Sequence, residues 1–557
     1  MGVPALATTQ VVTEETVQPA GPPRVAREAV SLGVGVALVY GLTLSAVPAL
    51  THDSMGYLQA IEAGGHALFH PHHLAYNALA RGWLDALDAV GLGGDPLPRV
   101  ELLNALLGGC AAALVWTILR VRGRLDRGAA LAAVAGVAVS FGVWFYSVSV
   151  EVYLLPLVLL LAALLVLTAP GLTPGVMAGA GALNGLAVVA HQVNVLFAVV
   201  ALVVASHGVA RREVVRRLGA YGAAAAAVVI PAYAAVLAFA VRPGSAGGAS
   251  GWMTRYAQSD TYWTFSPKAP VQAAAGLGRA LVGGQFAFRI GSVRDRLSSL
   301  FSGKSLDDEA FLVRDLPPAL AALLIALAAL GIGLLLLTVA AGAARGRRSG
   351  VPDAARTLVR ALVAWLFVYA AFFLLWEPVN PEFWIPQATA LWMLAAVLAQ
   401  GSRRWVTALG IAACAIGVAN LVGTILPATD ESNDVYAVRY RAVADVAGEG
   451  DVVVVDPPHL GLGYAERYTD ARPVAAVDYD PVVSVEEGSS VPPDELADRL
   501  EREIDAGHVV VVDVHLLDSP STPEAERLGR VLARRFGERW YLLDVPGPAP
   551  GWYVVEP

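Results

Sequence analysis

Apolar runs of about 20 residues, long enough to cross a lipid bilayer as helices, recur along most of this chain. Short loops with clustered arginines separate many of these runs, for example at Arg120–Arg127, Arg211–Arg217 and Arg345–Arg348. With 56% hydrophobic and 15% charged residues among 557, the composition is that of an integral membrane protein. The pattern predicts a polytopic α-helical membrane protein.

The apolar runs predict about eleven transmembrane helices, and the arginine clusters predict their direction. Loops rich in Lys and Arg face the cytoplasm, and here every such cluster falls on the side of the amino terminus. We therefore expect a plasma-membrane protein with a cytoplasmic amino terminus. The predicted spans are 29–49, 101–119, 129–147, 151–168, two spans within 174–208 divided near His191, then 219–241, 318–340, 357–375, 385–400 and 405–426.

The spans divide the chain into three parts. Residues 1–27 show no hydrophobic periodicity and are predicted to be a disordered cytoplasmic tail. Residues 28–428 are predicted to form the transmembrane domain, with outer loops at 51–99 and 242–316. The remaining residues, 429–557, are predicted to form a soluble α/β domain outside the cytoplasm.

Two short apolar runs carry the prediction for the soluble domain. Residues 451–456 and 508–513 each contain four consecutive valines closed by Asp, a pattern typical of buried parallel strands. Helical patterning lies between them and after them, at 494–505 and 523–536. The formal charge of −8 gives no reason to expect a nucleic-acid partner.

The first outer loop holds the most distinctive polar segment. Five of the ten histidines lie between His52 and His73, beside Asp53. Asp53 is predicted either to act as a general base on an acceptor hydroxyl or to cap the helix that follows. The run His70-Pro71-His72-His73 has three interpretations: a divalent metal site, hydrogen-bond donors to a phosphate, or a histidine cluster without a ligand. The cofactor is left open.

Other polar groups are predicted at the same outer face. Glu151, near Tyr153, either orients a substrate hydroxyl or favours the start of a helix. His191 and Gln192 either bind substrate or satisfy the backbone of their own turn. Glu382 is a candidate substrate contact. Four arginines of the second outer loop are candidates for binding phosphate, because the guanidinium group matches its geometry: Arg255, Arg279, Arg289 and Arg294.

Several of these residues together resemble a known family. An Asp after the first span, the pair His70-Pro71, the segment Glu151-Val152-Tyr153 and a soluble C-terminal domain are similar to the GT-C superfamily of membrane glycosyltransferases. Within it, the chain most resembles the protein O-mannosyltransferase-like group of the DUF2723 type. That group continues its His-Pro with Pro-Gly, where this chain has His72-His73.

The resemblance implies an enzyme that takes a sugar from a polyprenyl-phosphate donor, inverts the anomeric centre and transfers it to an extracytoplasmic glycan, protein or lipid. It implies that Asp53 is the base, and that His70 and a loop arginine stabilise the leaving phosphate. Asp53 and Glu151 are thus the expected catalytic residues. The expected substrate-binding residues are His52, Tyr57, His70, His72, His73, Tyr153, His191, Gln192 and Glu382.

Two further classes of function remain open from the sequence. A transporter or flippase places its ionisable groups near the membrane midplane and is built from paired repeats. This chain instead gathers its acids and histidines at one face. A non-catalytic component of polysaccharide assembly, binding a partner through the soluble domain, is the other alternative.

Overall fold

The computed structural model describes residues 22–240, 248–254, 262–298, 306–349, 353–480, 485–487, 492–545 and 551–557. Most of the predicted tail lies outside these ranges. The first helix, α1, begins at Pro22, ahead of the predicted end of the tail at residue 27. Arg255 also lies outside the described residues.

The membrane domain is built from nineteen described helices. Their bounds are α1 Pro22–Gly41, α2 Ser54–Ala63, α3 Tyr76–Ala89, α4 Pro96–Val121, α5 Arg127–Val139, α6 Phe141–Ser147, α7 Leu154–Leu167, α8 Pro174–Ala190, α9 Phe197–Ala205, α10 Arg211–Phe239, α11 Gly248–Thr254, α12 Ala269–Leu281, α13 Gly291–Ser298, α14 Asp307–Leu312, α15 Pro318–Ser349, α16 Asp353–Phe373, α17 Ile385–Ala399, α18 Arg403–Asn420 and α19 Leu426–Ala428.

Six of these helices are long and apolar enough to cross a membrane: α4, α10, α15, α16, α17 with the turn before it, and α18 with its extension to Ala428. A seventh span is formed if α5 and α6, which meet at 59°, are counted as one bent helix. Helices α7, α8 and α9 are apolar but shorter. The predicted polytopic membrane fold is confirmed, and the count of eleven spans stays a prediction.

The end of the first span differs from its prediction. Helix α1 ends at Gly41, whereas the apolar run predicted a span over 29–49. The following backbone is irregular but paired: the Ser45 N–H donates to Val148 O at 2.8 Å, and the Ala46 N–H donates to Ala428 O at 2.7 Å. Apolar composition alone could not separate a helix from a buried irregular segment. These bonds bring the ends of three membrane segments together.

The soluble domain begins after Ala428 and contains one mixed five-stranded sheet and a two-stranded ribbon. The strand order in the sheet is β2-β1-β5-β7-β6, with β2, β1 and β5 parallel and β7 antiparallel to both of its neighbours. The predicted parallel pairing of the two valine-rich strands is confirmed. The elements are α20 Val435–Ala444, β1 Val452–Val455, α21 Pro458–Tyr468, β2 Arg472–Ala475, β3 Asp478–Asp480, β4 Val485–Glu487, α22 Pro493–Asp505, β5 Val510–Asp513, α23 His515–Asp518, α24 Pro523–Phe536, β6 Trp540–Leu543 and β7 Trp552–Val555.

The two domains share a hydrophobic core. One continuous cluster of buried side chains joins α2, α3 and the start of α4 to one face of the sheet. A second cluster, on the other face of the sheet, belongs to the soluble domain alone and packs under α22 and α24. The soluble domain is therefore docked on the first loop of the membrane domain through apolar packing.

A buried ion pair anchors α20 to the sheet. Arg439 Nη2 lies 2.6 Å from Asp513 Oδ1, and both side chains are 1% exposed. Burial raises the pKa of the Asp513 carboxyl, but the Arg439 guanidinium and the hydrogen bonds and charge of His515 together outweigh it, so the net pKa lies below 3.8. The Trp552 ring also faces the guanidinium, 4.7 Å from its centroid.

We expect Arg439→Met to destabilise the soluble domain by about 3–5 kcal/mol, because it leaves the Asp513 carboxylate buried without its cation. Arg441→Met, on the same helix, removes an exposed ion pair to Glu431 and is the matched control. Thermal and urea unfolding in mild detergent measure both.

The stabilisation from the lowered Asp513 pKa is present above pH 3.8 and is lost as the pH falls through the folded value. Equal unfolding curves for Arg439→Met and Arg441→Met would show that the buried Arg439–Asp513 ion pair does not stabilise the soluble domain.

Candidate functional site

Asp53 stands at the start of α2, in a turn that the backbone holds in an uncommon conformation. His52, the residue before it, has φ of 64°, which a side chain with a Cβ seldom adopts. The hydroxyls of Thr51 and Ser54 lie 2.7 Å apart, and Ser54 Oγ donates to Val150 O at 3.0 Å. The turn is therefore fixed against the segment between α6 and α7.

The Asp53 carboxylate is half-buried and makes no cap bond to the helix that it precedes. Tyr57, one turn on, lies with its hydroxyl 3.4 Å from Asp53 Oδ2. The helix-cap interpretation of the Asp53 side chain therefore has no hydrogen bond to support it. The carboxylate is left directed at other polar groups of the site.

Glu151 lies beside Asp53, in the segment 148–153 that connects α6 to α7. Its side chain is fully buried, and Glu151 Oε2 accepts from the Val152 N–H at 3.3 Å. Burial raises the pKa of the Glu151 carboxyl well above its usual value, and the charges of Asp53 and Glu382 raise it further. A hydrogen bond with Thr51 acts in the opposite direction and is outweighed.

Glu382 approaches the same site from the turn before α17. Its side chain is 5% exposed, and Asn380 Nδ2 donates to Glu382 Oε1 at 2.8 Å. The Tyr146 hydroxyl lies 3.4 Å from Glu382 Oε2. Tyr153 packs edge-on against the Tyr146 ring, at 5.7 Å between centroids. The charges of Asp53 and Glu382, far apart in sequence, thus both act on Glu151, among tyrosines at one end of the membrane domain.

The histidines form a stacked group next to Tyr57. The rings of His70 and His73 are parallel, with centroids 4.2 Å apart, and Tyr57 meets His73 edge-on at 4.9 Å. His191 lies 6.4 Å from His73. Burial lowers the pKa of His72 to about 4 and that of His73 well below 6.5. These two imidazoles are therefore neutral at physiological pH and serve as donors and acceptors without charge.

Gln192 supports the histidine loop through its backbone and its side chain. The Gln192 N–H donates to His72 O, and Gln192 Nε2 donates to Pro71 O, both at 2.8 Å. The Tyr233 hydroxyl donates to the same Pro71 carbonyl at 2.7 Å. The Gln192 amide nitrogen thus has a backbone partner that holds the loop in place, and its predicted substrate contact stays a prediction.

The second loop supplies charged groups that sequence reasoning missed. Helix α14 brings Asp308 Oδ2 to 3.7 Å from His52 Nε2. The neighbouring Glu309 pairs with Arg279 at 2.7 Å, and both of these side chains are largely buried. The charge of Arg279 also acts on Tyr146, which places the guanidinium near the acids. Acidic residues are common in loops, so no sequence signal could single out Asp308 or Glu309.

The other predicted arginines are held elsewhere. Arg289 Nε donates to Leu316 O at 2.7 Å, and the Arg294 side chain is half exposed beside Asp295. Among the described arginines of that loop, Arg279 is the one whose charge acts on a tyrosine of the acid group. The described residues contain no group of three or more His, Cys, Asp or Glu side chains arranged to hold a metal ion. Within the histidine run, the rings of His70 and His73 are stacked.

No protein-family profile matches this sequence, and no curated protein matches it. Among solved structures, ArnT from Cupriavidus metallidurans bound to undecaprenyl phosphate superposes with a TM-score of 0.54 at 12% identity, over 95% of this chain and 98% of that one. ArnT in the apo state gives 0.47 at 13% identity over the same shares. An oligosaccharyltransferase from Archaeoglobus fulgidus in complex with Zn and sulfate gives 0.44 at 15% identity, over 88% of this chain and 68% of that one.

The first superposition covers nearly all of both chains and establishes the fold. This chain shares the fold of ArnT, with a helical membrane domain followed by a soluble α/β domain. The resemblance seen in the sequence is confirmed at that level. The narrower likeness to the protein O-mannosyltransferase-like group stays a prediction.

We expect the wild-type melting temperature to fall as the pH rises from 4.5 through the folded pKa of Glu151, and to fall less in Glu151→Gln. A raised carboxyl pKa contributes stability that is fully present below the usual value of 4.5 and is lost as the pH rises through the folded value. A pKa that is higher by one in the folded than in the unfolded protein corresponds to about 1.4 kcal/mol of stability. Melting in mild detergent across this pH range provides the measurement.

Asp295→Asn is the control for this comparison, since that carboxylate is exposed. A slope with pH that is the same in Glu151→Gln as in the wild type would show that Glu151 is not the group that titrates.

Proposed function

We propose that this chain is a membrane glycosyltransferase that moves a sugar from a polyprenyl-phosphate donor to a hydroxyl-bearing acceptor. The observation that carries the proposal is the grouping of acids at one end of the membrane domain: the charges of Asp53 and Glu382 both act on the buried Glu151, and the Tyr57 hydroxyl lies 3.4 Å from Asp53 Oδ2. The GT-C fold supports the choice of reaction, and the undecaprenyl phosphate bound to ArnT supports the choice of donor.

In this proposal Asp53 is the general base. It accepts the proton of the acceptor hydroxyl while that oxygen attacks the anomeric carbon of the donor. The bond between the anomeric carbon and the phosphate oxygen breaks, and the polyprenyl phosphate leaves with the electron pair. A single displacement of this kind inverts the anomeric centre. The raised pKa of Glu151 favours its neutral form, which limits repulsion against the ionised Asp53.

Arg279 and His70 are assigned to the phosphate. A guanidinium group binds phosphate oxygens through two parallel hydrogen bonds, and its charge offsets the charge that develops as the donor bond breaks. Arg279 is the described loop arginine whose charge acts on Tyr146 within the acid group. Tyr57, Tyr153, His73 and His191 line the space between these groups and are assigned to the sugar and the acceptor.

The orientation follows from the charge distribution. The arginine clusters at Arg120–Arg127, Arg211–Arg217 and Arg345–Arg348 favour the cytoplasmic side. In this proposal the site and the soluble domain face the opposite side, so donor and acceptor meet outside the cytoplasm. The lipid chain of the donor would lie among the exposed apolar side chains of the membrane helices.

Asp53→Asn is expected to lower transfer by roughly 10²–10⁴-fold, the contribution of a general base, without loss of undecaprenyl phosphate binding. Asp315→Asn is the matched control, because Asp315 is an exposed acid of the second outer loop. Transfer is measured with purified protein in nanodiscs and radiolabelled undecaprenyl-phosphate sugars. Full transfer by Asp53→Asn would show that Asp53 is not the general base. Binding of undecaprenyl phosphate without sugar transfer in the wild type would favour a transporter.

Arg279→Gln is expected to weaken binding of undecaprenyl phosphate by about 10- to 100-fold, since a hydrogen bond to a charged group contributes about 1.5–3 kcal/mol. Arg289→Gln is the control, because that guanidinium donates to a backbone carbonyl of the loop. Native mass spectrometry of both variants with added undecaprenyl phosphate compares them. Equal retention of the lipid would remove Arg279 from the phosphate site.

A further inference from the structure

The soluble domain packs on the helix that follows the proposed base. Helix α21 packs on α2, the helix that begins after Asp53. The two helices approach closely at Gly463, where an added Cβ would lie 3.2 Å from Met55 Cβ and 3.2 Å from Gln59 Cδ. Since a distance this short is rare for real Cβ atoms, a side chain at Gly463 would push the two helices apart.

Polar contacts lie on the next turn of α21. Gln59 Nε2 donates to Glu466 Oε2 at 2.6 Å. At the following residue, both terminal nitrogens of Arg467 contact the Asp95 carboxylate. Asp95 in turn caps α4, accepting from the Leu97 N–H at 3.0 Å. The contact therefore has a defined register, set by a hydrogen bond and an ion pair as well as by apolar packing.

Helix α2 needs such a partner. It has only 10 residues and no side-chain cap at its start, and helices shorter than about 12–15 residues are marginal on their own in water. Buried Met55, Leu58 and Ile61 pack into the core that the two domains share. The turn before it includes His52 at positive φ, a conformation that persists only where surrounding contacts impose it. The position of Asp53 thus depends on what packs against α2.

We propose that α21 is the positioning element for Asp53, with Gly463, Glu466 and Arg467 as positioning residues. The soluble domain then acts on the reaction by holding α2 in register and not by touching the substrate. The catalytic part of this inference rests on the proposed function, while the structural part does not. Displacing α21 lowers turnover and leaves the phosphate site intact, because Arg279 on α12 and His70 in the loop before α3 both lie outside α2.

The test is to introduce a larger side chain at the contact between α21 and α2. Gly463→Leu inserts a side chain between α21 and α2, and Leu is a better helix former than Gly, so α21 itself is not weakened. Gly448→Leu is the matched control in the same domain, since nothing lies within 4 Å of a Cβ at that position. Hydrogen exchange in nanodiscs is followed by mass spectrometry for peptides covering α2, β1 and β5.

In Gly463→Leu we expect exchange in α2 to rise about tenfold, equivalent to about 1.4 kcal/mol, with β1 and β5 unchanged. The control leaves all three peptides unchanged. Unchanged exchange in α2 while the sheet stays protected overturns the proposal. If Gly463→Leu also unfolds the sheet, Gly463→Ala is used instead, because it adds only a Cβ at the same contact. Its effect is judged in the same way, from exchange in α2 compared with exchange in β1 and β5.

A kinetic comparison separates positioning from folding. We expect Gly463→Leu to lower kcat by roughly 10²-fold, as a displacement of about 1 Å does, while KM for the undecaprenyl-phosphate sugar and binding of undecaprenyl phosphate stay unchanged. Adding Gln59→Ala to Gly463→Leu removes the Gln59 amide that the new leucine would meet. The double variant is expected to regain part of kcat. Parallel loss of kcat and lipid binding would overturn positioning. Absence of transfer in the wild type would reject the proposed function and leave the exchange result standing.

Discussion

The hydrogen bonding of irregular backbone inside the membrane domain is the constraint on which the site depends. In a bilayer no water is available to pair exposed N–H and C=O groups, so every break in a helix has to be satisfied by protein. Buried asparagines do this at several of the described breaks. Asn104 donates to Ser149 O and Glu151 O, Asn194 donates to Ala187 O and His191 O, and Asn420 donates to Val139 O and Leu281 O. Each lies beside a break between membrane helices.

These breaks are what bring the polar side chains together. Continuous helices would have carried Glu151 and His191 past the end of the membrane domain or into contact with lipid. Because Asn104 pairs the carbonyls around Glu151, the segment between α6 and α7 stays compact and turns Glu151 toward Asp53. Asn194 does the same for the break between α8 and α9, beside His191. The grouping of the acids and imidazoles therefore follows from how the interrupted helices satisfy their backbone hydrogen bonds.

Much of this architecture could be predicted from residue patterns. The alternation of apolar runs and arginine clusters gave the membrane fold, and the valine runs before Asp456 and Asp513 gave the parallel strands. Asp53, Glu151 and Glu382 were predicted at one face, and their charges do act on one another. Topology alone was enough for that, because each of them lies at the end of an apolar run.

What could not be predicted depends on contacts between distant loops. The choice of Arg279 over Arg289, and the approach of Asp308 to His52, follow from the folding of the second loop, which has no periodic pattern. The end of α1 at Gly41 was also missed, since Ala46 is satisfied by Ala428, at the far end of the membrane domain. The shared core of the two domains could not be predicted either, because the apolar residues of α2 and α21 do not indicate which segment they pack against.

Asn420 has a consequence for how the protein is made. It stands 281 residues after Val139, whose carbonyl it pairs, and it also accepts from the Gly283 N–H at 3.2 Å. During biosynthesis the bend between α5 and α6 therefore leaves the translocation machinery long before its hydrogen-bonding partner has been synthesised. The hydrogen bonding of that bend is therefore completed only once α18, the last long membrane helix among the described residues, has been made.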